Sequence, residues 1–357
     1  MEIIHAPHGD VAVKPCLKVI CAVSLGFAAT VAHADSTLYV GGYGGSMEKL
    51  FKEKLIPRFE KQEPGVKVLY VAGNSTDILA KLQAQKGHQE LSVAIIDDGP
   101  MFQAVGQGLC APLEQAGAIK DVYPLARMPG DRSIGVGVLA TGLAYNKEVF
   151  AKHGWAPPTS WQDLADPKYR QKVVIPPISN GYGLLTLLMM ARLNGGGESN
   201  IEPGFQVMTK KVAPNVLTWE PSPGKMAQML QTGDAALAVW GNGRVQDVIN
   251  QGAPVGFVYP KEGAVALMSA ACPVAGAPQP QAAQHFVQFL VSPDAQTLLA
   301  QDAGFGPVNK TVKLPAAVSA KVVSGPDKVN ALIAPDYNVI NAKRAEWTSR
   351  WDRSVER

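Results

Sequence analysis

Two adjacent acids, Asp97 and Asp98, stand directly after the apolar run 93–96 and before Gly99 and Pro100. Carboxylates at the end of a buried strand are costly unless they meet a cation or the free N–H groups of a helix start. We therefore predict that at least one of the two acids contacts a ligand. The alternative is that one aspartate only caps the helix that begins near Pro100.

Two glycine-rich loops could bring backbone and aromatic rings close to the same ligand. Gly41-Gly42-Tyr43-Gly44-Gly45-Ser46 and Ser179-Asn180-Gly181-Tyr182-Gly183 each lie between a predicted strand and a predicted helix. Glycine allows close approach of the backbone, and a helix N-terminus offers unpaired N–H groups. We expect Tyr43, Ser46 and Tyr182 to face the ligand. A tight turn in which Ser46 only caps the helix is the alternative.

The motifs of common enzyme and metal-binding classes are absent from the sequence. His88, His153 and His285 have neither HExxH spacing nor a CxxC partner, and there is no GxSxG or P-loop pattern. A secreted hydrolase would need an activated nucleophile or a metal, so we predict no enzyme, no cofactor and no metal ion. A net charge of +3 without a run of Lys or Arg indicates that nucleic acid is not a partner.

The N-terminal residues have the features of a secretory signal. Lys14 and Lys18 precede the apolar run 19–32, and Ala32-His33-Ala34 forms a cleavage triplet. The run is too short for a membrane-spanning helix. We expect cleavage after Ala34 and export to the periplasm.

Two cysteines, Cys110 and Cys272, lie outside the predicted signal segment. An oxidising compartment permits a disulfide between them. A bridge and two buried, unpaired thiols are equally compatible with the sequence, because pairing depends on the Cα separation.

Short apolar strands alternate with helices along the sequence and must position these residues. This order predicts an α/β fold with a parallel sheet. Predicted strands cover 38–40, 66–71, 93–96 and 173–175, and predicted helices cover about 47–60 and 76–85. The loops at the carboxyl ends of such strands are where ligands bind in an open α/β sheet.

Several segments resemble the spermidine/putrescine-type family of periplasmic binding proteins. They are Phe257-Val258-Tyr259-Pro260-Lys261-Glu262-Gly263, Pro273, the helix 285–291 and Ser292-Pro293-Asp294-Ala295. Gly233-Asp234-Ala235, followed by Val239-Trp240-Gly241-Asn242-Gly243, is similar to the family's helix end, strand and Trp-Asn-Gly turn. The resemblance runs from Leu38 to Trp351 and implies a two-lobed type II periplasmic binding protein with hinge segments between the lobes.

On this resemblance, residues 1–34 are a signal peptide, lobe 1 comprises 35–140 and 243–290, and lobe 2 comprises 141–242 and 291–357. The chain crosses between lobes near 138–146 and at the Trp240 turn. The implied function is that of the monomeric substrate-binding component of an ABC importer. It would capture a small amine-containing solute, such as putrescine or spermidine, and deliver it to the membrane permease subunits.

Ammonium ligands require carboxylates and aromatic faces. The resemblance places Trp240 against the ligand, with core packing as the alternative, and adds Asn242 from the same turn and Glu262. Ser75 and Thr76 match a family position that supplies hydroxyl groups, although helix capping would explain them as well.

Arg244 departs from the polyamine pattern, which favours acids at this position. If Arg244 faces the cleft, the ligand should have an acidic end, as γ-aminobutyrate or 2-aminoethylphosphonate has. If Arg244 faces solvent or pairs with Glu262, a polyamine fits. A ferric-iron receptor ranks third, because that family would require adjacent tyrosines late in the chain and only Tyr337 stands there.

Overall fold

The computed structural model describes residues 36–356, so the predicted signal segment lies outside the described part. A single mixed sheet has the strand order β2-β1-β3-β9-β4-β7-β5-β6, and β8 pairs with β4. The strands are β1 (Ser36–Gly42), β2 (Val66–Ala72), β3 (Val93–Asp97), β4 (Ile134–Asn146), β5 (Val173–Ile175), β6 (Val216–Trp219), β7 (Leu237–Gly241), β8 (Val255–Val258) and β9 (Val265–Pro273).

Helices flank the sheet and follow most of its strands. They are α1 (Ser46–Leu50), α2 (Ile56–Gln62), α3 (Ser75–Ala84), α4 (Asp98–Gly106), α5 (Lys147–His153), α6 (Gly181–Arg192), α7 (Glu202–Val207), α8 (Pro223–Thr232), α9 (Asn242–Asn250), α10 (Pro280–Leu290), α11 (Pro293–Ala303), α12 (Ala316–Ser319), α13 (Pro326–Asn330) and α14 (Tyr337–Ser354). A π-helical turn, Phe51–Leu55, joins α1 to α2 in one continuous helical run. None of the helices in the described residues is long and apolar enough to cross a membrane.

The predicted α/β class and the four predicted strands are confirmed. The sheet is mixed rather than parallel, however. β1 pairs in parallel with β2 and β3, and β5 pairs in parallel with β6 and β7. Between these two parts stand β9 and β4, which pair antiparallel with each other and with β3 and β7 respectively. Local strand and helix patterns do not reveal such pairings between distant segments.

β4 connects the two parallel parts of the sheet. Its residues 134–141 pair with β9, while residues 141–145 pair with β7. The strand is apolar along nearly all of its length because elements cover both of its faces.

Cys110 and Cys272 form a disulfide with a Cα separation of 5.7 Å. Cys272 lies on β9, and Cys110 forms an antiparallel bridge with Val274 just beyond that strand. The bond therefore ties the segment after α4 to the central strand β9. Of the two alternatives left open by the sequence, the structure has the disulfide bond and not two unpaired thiols.

Candidate functional site

Six helices begin at the carboxyl ends of strands in the two parallel parts of the sheet. α1, α3 and α4 follow β1, β2 and β3, and α6, α8 and α9 follow β5, β6 and β7. Residues from the first turns of all six helices line two adjoining cavities. Because the N–H groups of a first helical turn lack intrahelical acceptors, the walls of these cavities are rich in hydrogen-bond donors and in positive potential.

The first cavity, here the Arg244 cavity, has a volume of about 240 Å³. Its polar wall consists of Tyr43, Ser46, Asn74, Ser75, Asp97, Asn180, Tyr182, Arg244, Asp247 and Ser269. Its apolar wall includes Leu139, Leu267 and Phe305. A mainly apolar enclosure with a few convergent polar groups is typical of small-molecule sites.

The second cavity, here the Arg344 cavity, has a volume of about 260 Å³. Thr76, Asp98, Gly99, Ser179, Tyr337 and Arg344 line it and do not line the first. Both cavities share the wall formed by Asn74, Ser75, Asp97, Asn180, Gly181, Pro221 and Leu267. The carboxylate of Asp97 therefore stands between the two cavities.

Asp97 is half-buried at the end of β3 and is held by two hydroxyl groups. The Tyr43 hydroxyl donates to Asp97 Oδ1 at 2.7 Å, and Ser75 Oγ accepts from the Asp97 N–H at 3.0 Å. Burial raises the pKa of Asp97 above its ordinary value, while hydrogen bonds from Tyr43 and Ser75 oppose that shift. The charges of Arg244 and Arg344 also lower this pKa. Such a carboxylate is well suited to bind a ligand cation, which would offset its lost hydration.

Asp98 is buried and engaged mainly with the protein itself. Its Oδ2 accepts from the Met268 N–H at 3.1 Å, and its Oδ1 accepts from the Gly99 N–H at 2.9 Å. Burial raises the pKa of Asp98 to about 7, although hydrogen bonds from Met268 and Tyr337 act against the shift. Asp98 thus joins α4 to β9 at the wall of the Arg344 cavity.

Arg244 projects from the first turn of α9 into its cavity and is half-buried. Within residues 36–356 its guanidinium makes no hydrogen bond and no ion pair. Its charge lowers the pKa values of Asp97 and Asp247, both of which burial raises. Arg244 consequently has donors left for an acidic group in the Arg244 cavity.

Tyr182 reaches the same cavity from the first turn of α6. Burial raises the pKa of Tyr182 to about 12, so its hydroxyl remains protonated at neutral pH. A Cβ at Gly241 would lie 2.4 Å from this hydroxyl, so Gly241 allows the ring to occupy its position. Nearby, Ser269 pairs with Asp97 in the β3–β9 register, and its buried Oγ, which lowers the pKa of Tyr43, makes no hydrogen bond of normal geometry within residues 36–356. Both hydroxyl groups are available to a ligand.

The structure brings most of the predicted site residues together. Tyr43, Ser46, Ser75, Asp97, Tyr182 and Arg244 line the Arg244 cavity, and Thr76 and Asp98 line the other. The helix of Ser75 and Thr76 is capped by Asn74, whose side chain accepts from the Asp77 N–H. Ser46 makes no side-chain capping bond.

Trp240, Asn242 and Glu262 line neither cavity. Trp240 lies on β7, both of whose faces are covered, and its ring packs in the core. The Asn242 side chain accepts from the Ala140 N–H at 2.8 Å and so connects α9 to β4. Glu262 accepts from the Ser160 hydroxyl and the Trp161 N–H, and it does not pair with Arg244.

Sequence reasoning missed Asn74, Asn180, Ser269 and Arg344 as lining residues. Asn74 and Asn180 are the N-caps of α3 and α6, and their loop positions could have indicated them. Ser269 lies within an apolar strand, and Arg344 lies on the C-terminal helix α14. For these two, only the tertiary structure reveals the cavity. The described residues contain no cluster of three or more His, Cys, Asp or Glu placed to hold a metal ion.

Known proteins with similar sequences bind different solutes. The chain is 25% identical over 303 residues to the iron uptake protein A1 of Synechocystis sp., covering 78% of this chain and 80% of the relative. It is 24% identical over 335 residues to the spermidine/putrescine-binding periplasmic protein of Escherichia coli, covering 91% and 90%. It is 23% identical over 332 residues to a γ-aminobutyric acid-binding protein of Pseudomonas aeruginosa, covering 87% and 89%.

The fold agrees with these likenesses. A crystal structure of an ABC transporter protein from Clostridium perfringens superposes with a TM-score of 0.76 and 21% identity, covering 89% of this chain and 99% of that one. These structural matches confirm the predicted type II binding-protein fold. The family model of bacterial extracellular solute-binding proteins matches residues 54–323. The chain belongs to that family of bacterial extracellular solute-binding proteins.

Proposed function

We propose that this protein is the periplasmic receptor of an ABC importer and that its solute is a small amine-bearing acid. γ-Aminobutyrate and 2-aminoethylphosphonate are examples of the class. The observation that carries the proposal is the presence of Arg244, without a partner in the described residues, in the same cavity as Asp97. An ammonium group would bind Asp97, and the acidic group would bind Arg244.

The helix N-termini also support an acidic group in the ligand. Six helix N-termini at the cavity walls favour negative charge in the ligand. Tyr182 and Ser269 add hydroxyl groups that could complete the hydrogen bonds of a carboxylate or phosphonate. The γ-aminobutyric acid-binding relative is a receptor for a solute of this kind.

A polyamine, the solute that the family resemblance implies, is the second candidate. The spermidine/putrescine-binding relative and the two acids of the Arg244 cavity, Asp97 and Asp247, favour it. Against it stands Arg244, because a ligand with ammonium groups at both ends would place one of them near a guanidinium and several helix N-termini. Ferric iron ranks third and is supported by the relative from Synechocystis sp..

We further propose that the protein works as a monomer with two lobes that close over the solute. The lobe assignment of 35–140 with 243–290 and 141–242 with 291–357 stays a prediction. β4 and β9 are the strands that join the two parallel parts of the sheet, so we expect the hinge there. β8, from the second segment of the predicted lobe 1, pairs with residues 143–146 of β4.

A thermal-shift panel tests the proposed solute class. The purified protein is heated with γ-aminobutyrate, 2-aminoethylphosphonate, putrescine, spermidine or a ferric salt. Ligand at 100 times its Kd stabilises the folded state by about 2.7 kcal/mol, which corresponds to roughly 4 °C for a chain of this size. We expect the amine-bearing acids to raise the midpoint. A shift with putrescine or ferric salt alone would contradict the proposal.

Arg244→Ala separates the first two candidates. The variant should lose binding of the amine-bearing acids by about 30-fold or more, and it should spare any polyamine binding. Arg58→Ala is the matched control, because Arg58 lines neither cavity and pairs with Asp294 on the surface. Equal loss of amine-bearing acids and polyamines in Arg244→Ala would mean that Arg244 is structural.

A further inference from the structure

An ω-amino acid that binds both Asp97 and Arg244 would lie in the Arg244 cavity and leave the Arg344 cavity empty. The Arg344 cavity adjoins the Arg244 cavity across the shared wall that contains Asp97. Its volume of about 260 Å³ is close to that of its neighbour, about 240 Å³. Each volume alone falls below the range of about 300–1,000 Å³ that is usual for small-molecule sites, whereas the two together fall inside it.

Arg344 provides the positive charge of this second cavity. Its Nη2 donates to the Ser179 carbonyl at 3.3 Å, and no carboxylate of the described residues lies within ion-pair distance. The oxygens of Asp98, the acid in the same wall, are engaged by the Met268 and Gly99 N–H groups. Most of the guanidinium donors of Arg344 are therefore left for a ligand.

The neighbouring backbone gives Arg344 room beside the first turn of α4. A Cβ at Gly99 would lie 3.1 Å from Arg344 Nη1, so a larger residue would crowd the guanidinium. Burial lowers the pKa of Arg344, while the nearby Tyr337 hydroxyl group and the carboxyl groups of Asp98 and Asp97 raise it. A half-buried cation of this kind gains when a ligand anion replaces the water that it has lost.

Each arginine has its own cavity, and Asp97 lies in the wall that both cavities share. The charges of both Arg244 and Arg344 act on the Asp97 carboxylate. Arg244, Asp97 and Arg344 therefore give the site a cation, a carboxylate and a second cation in that order. Asp247 adds a second acid to the wall of the Arg244 cavity, while the oxygens of Asp98 accept from backbone N–H groups. A complementary ligand has an ammonium group between two acidic groups.

We propose that the solute is an amine-bearing diacid whose second acidic group binds Arg344 in the Arg344 cavity. This inference rests on the proposed function, since it keeps the ammonium on Asp97 and the first acidic group on Arg244. It adds Arg344 as the residue that selects diacids over monoacids.

Two matched probes test the role of Arg344. 3,3′-Iminodipropionate carries an ammonium between two carboxylates, and N-propyl-β-alanine has the same chain with one carboxylate replaced by a methyl group. We expect the diacid to bind about 10- to 100-fold more tightly, as measured by isothermal titration calorimetry. In Arg344→Gln the ratio of the two Kd values should fall to about one.

Lys343→Gln is the control, because Lys343 is exposed on the same helix, pairs with Glu346 and lines neither cavity. It removes the same charge and should keep the preference for the diacid. If the two probes bind equally to the original protein, the inference about Arg344 is overturned while the proposed function stands. If neither probe binds at millimolar concentration, the inference fails, and the thermal-shift panel with γ-aminobutyrate and 2-aminoethylphosphonate decides whether the proposed function fails with it. Circular dichroism of Arg344→Gln checks that a lost preference does not reflect misfolding.

Discussion

Replacement of Asp97 by Asn should weaken solute binding and stabilise the ligand-free protein at the same time. The carboxylate is half-buried, and burial raises its pKa above the ordinary value. A carboxyl group whose pKa is raised by folding destabilises the folded state as the pH rises from its unfolded-state pKa to its folded-state pKa, and the full cost remains at higher pH. Asn carries no charge, but its carbonyl oxygen can still accept from the Tyr43 hydroxyl. The ligand-free variant should therefore unfold at a higher temperature at pH 8.

The affinity should change in the opposite direction. Removal of one partner of a desolvated charge pair costs about 2–5 kcal/mol. Because Asp97 is only half-buried and the charges of Arg244 and Arg344 already stabilise its ionised form, we expect the lower part of that range. A cost of about 2–3 kcal/mol corresponds to a roughly 30- to 150-fold rise in Kd for an amine-bearing acid.

Calorimetric titration and thermal denaturation of the same preparations measure the two effects. Asp294→Asn serves as the control, because Asp294 is exposed and lines neither cavity. An unchanged Kd in Asp97→Asn would show that Asp97 does not bind the ammonium group. A lower melting temperature of the ligand-free variant would contradict the inference that the charged carboxylate is costly to the fold.

Three further predictions concern stability and cavity shape. Replacement of both disulfide cysteines by Ser should lower the free energy of unfolding by about 2–5 kcal/mol, because the bond spans a sequence separation of 162 residues; urea denaturation with an unchanged midpoint would contradict this. Folding raises the pKa of Asp98 from 3.8 to about 7, so the stability of the ligand-free protein should fall as the pH rises through this interval. The slope from this group is at most about 1.4 kcal/mol per pH unit, and a flat urea-denaturation profile over this range would be inconsistent with it. Gly241→Ala should displace the Tyr182 hydroxyl, which would lie 2.4 Å from the new Cβ, and should weaken solute binding about tenfold or more. A Cβ at Gly106 meets no atom within 4 Å, so Gly106→Ala should leave the Kd unchanged. Calorimetry on both glycine variants checks this difference.

Much of the fold was predictable because its signals are local. Short apolar strands that end at glycine, aspartate or proline identified β1, β2, β3 and β5, and the carboxyl ends of β1, β3 and β5 with the loops after them gave Tyr43, Asp97 and Tyr182. In an open α/β sheet ligands bind beyond the carboxyl ends of the strands. Residues from separate loops could therefore be assigned to one site from the amino-acid sequence alone.

The antiparallel centre of the sheet and the Arg344 cavity were not predictable in this way. β4 and β9 lie far apart in the sequence, and no local pattern specifies that they pair. Arg344 is exposed to the cavity only because α14 packs beside α4. Trp240 was predicted to contact the ligand, with core packing as the alternative, and its ring is buried on β7, which is covered on both faces.

A crystal structure of the protein with 2-aminoethylphosphonate or γ-aminobutyrate tests the central claim most directly. We predict that the ligand nitrogen lies within about 3.2 Å of an Asp97 carboxylate oxygen and that the acidic group contacts the Arg244 guanidinium at hydrogen-bond distance. A bound ligand whose acidic group lies away from Arg244, or whose nitrogen does not contact Asp97, would contradict the proposed binding mode.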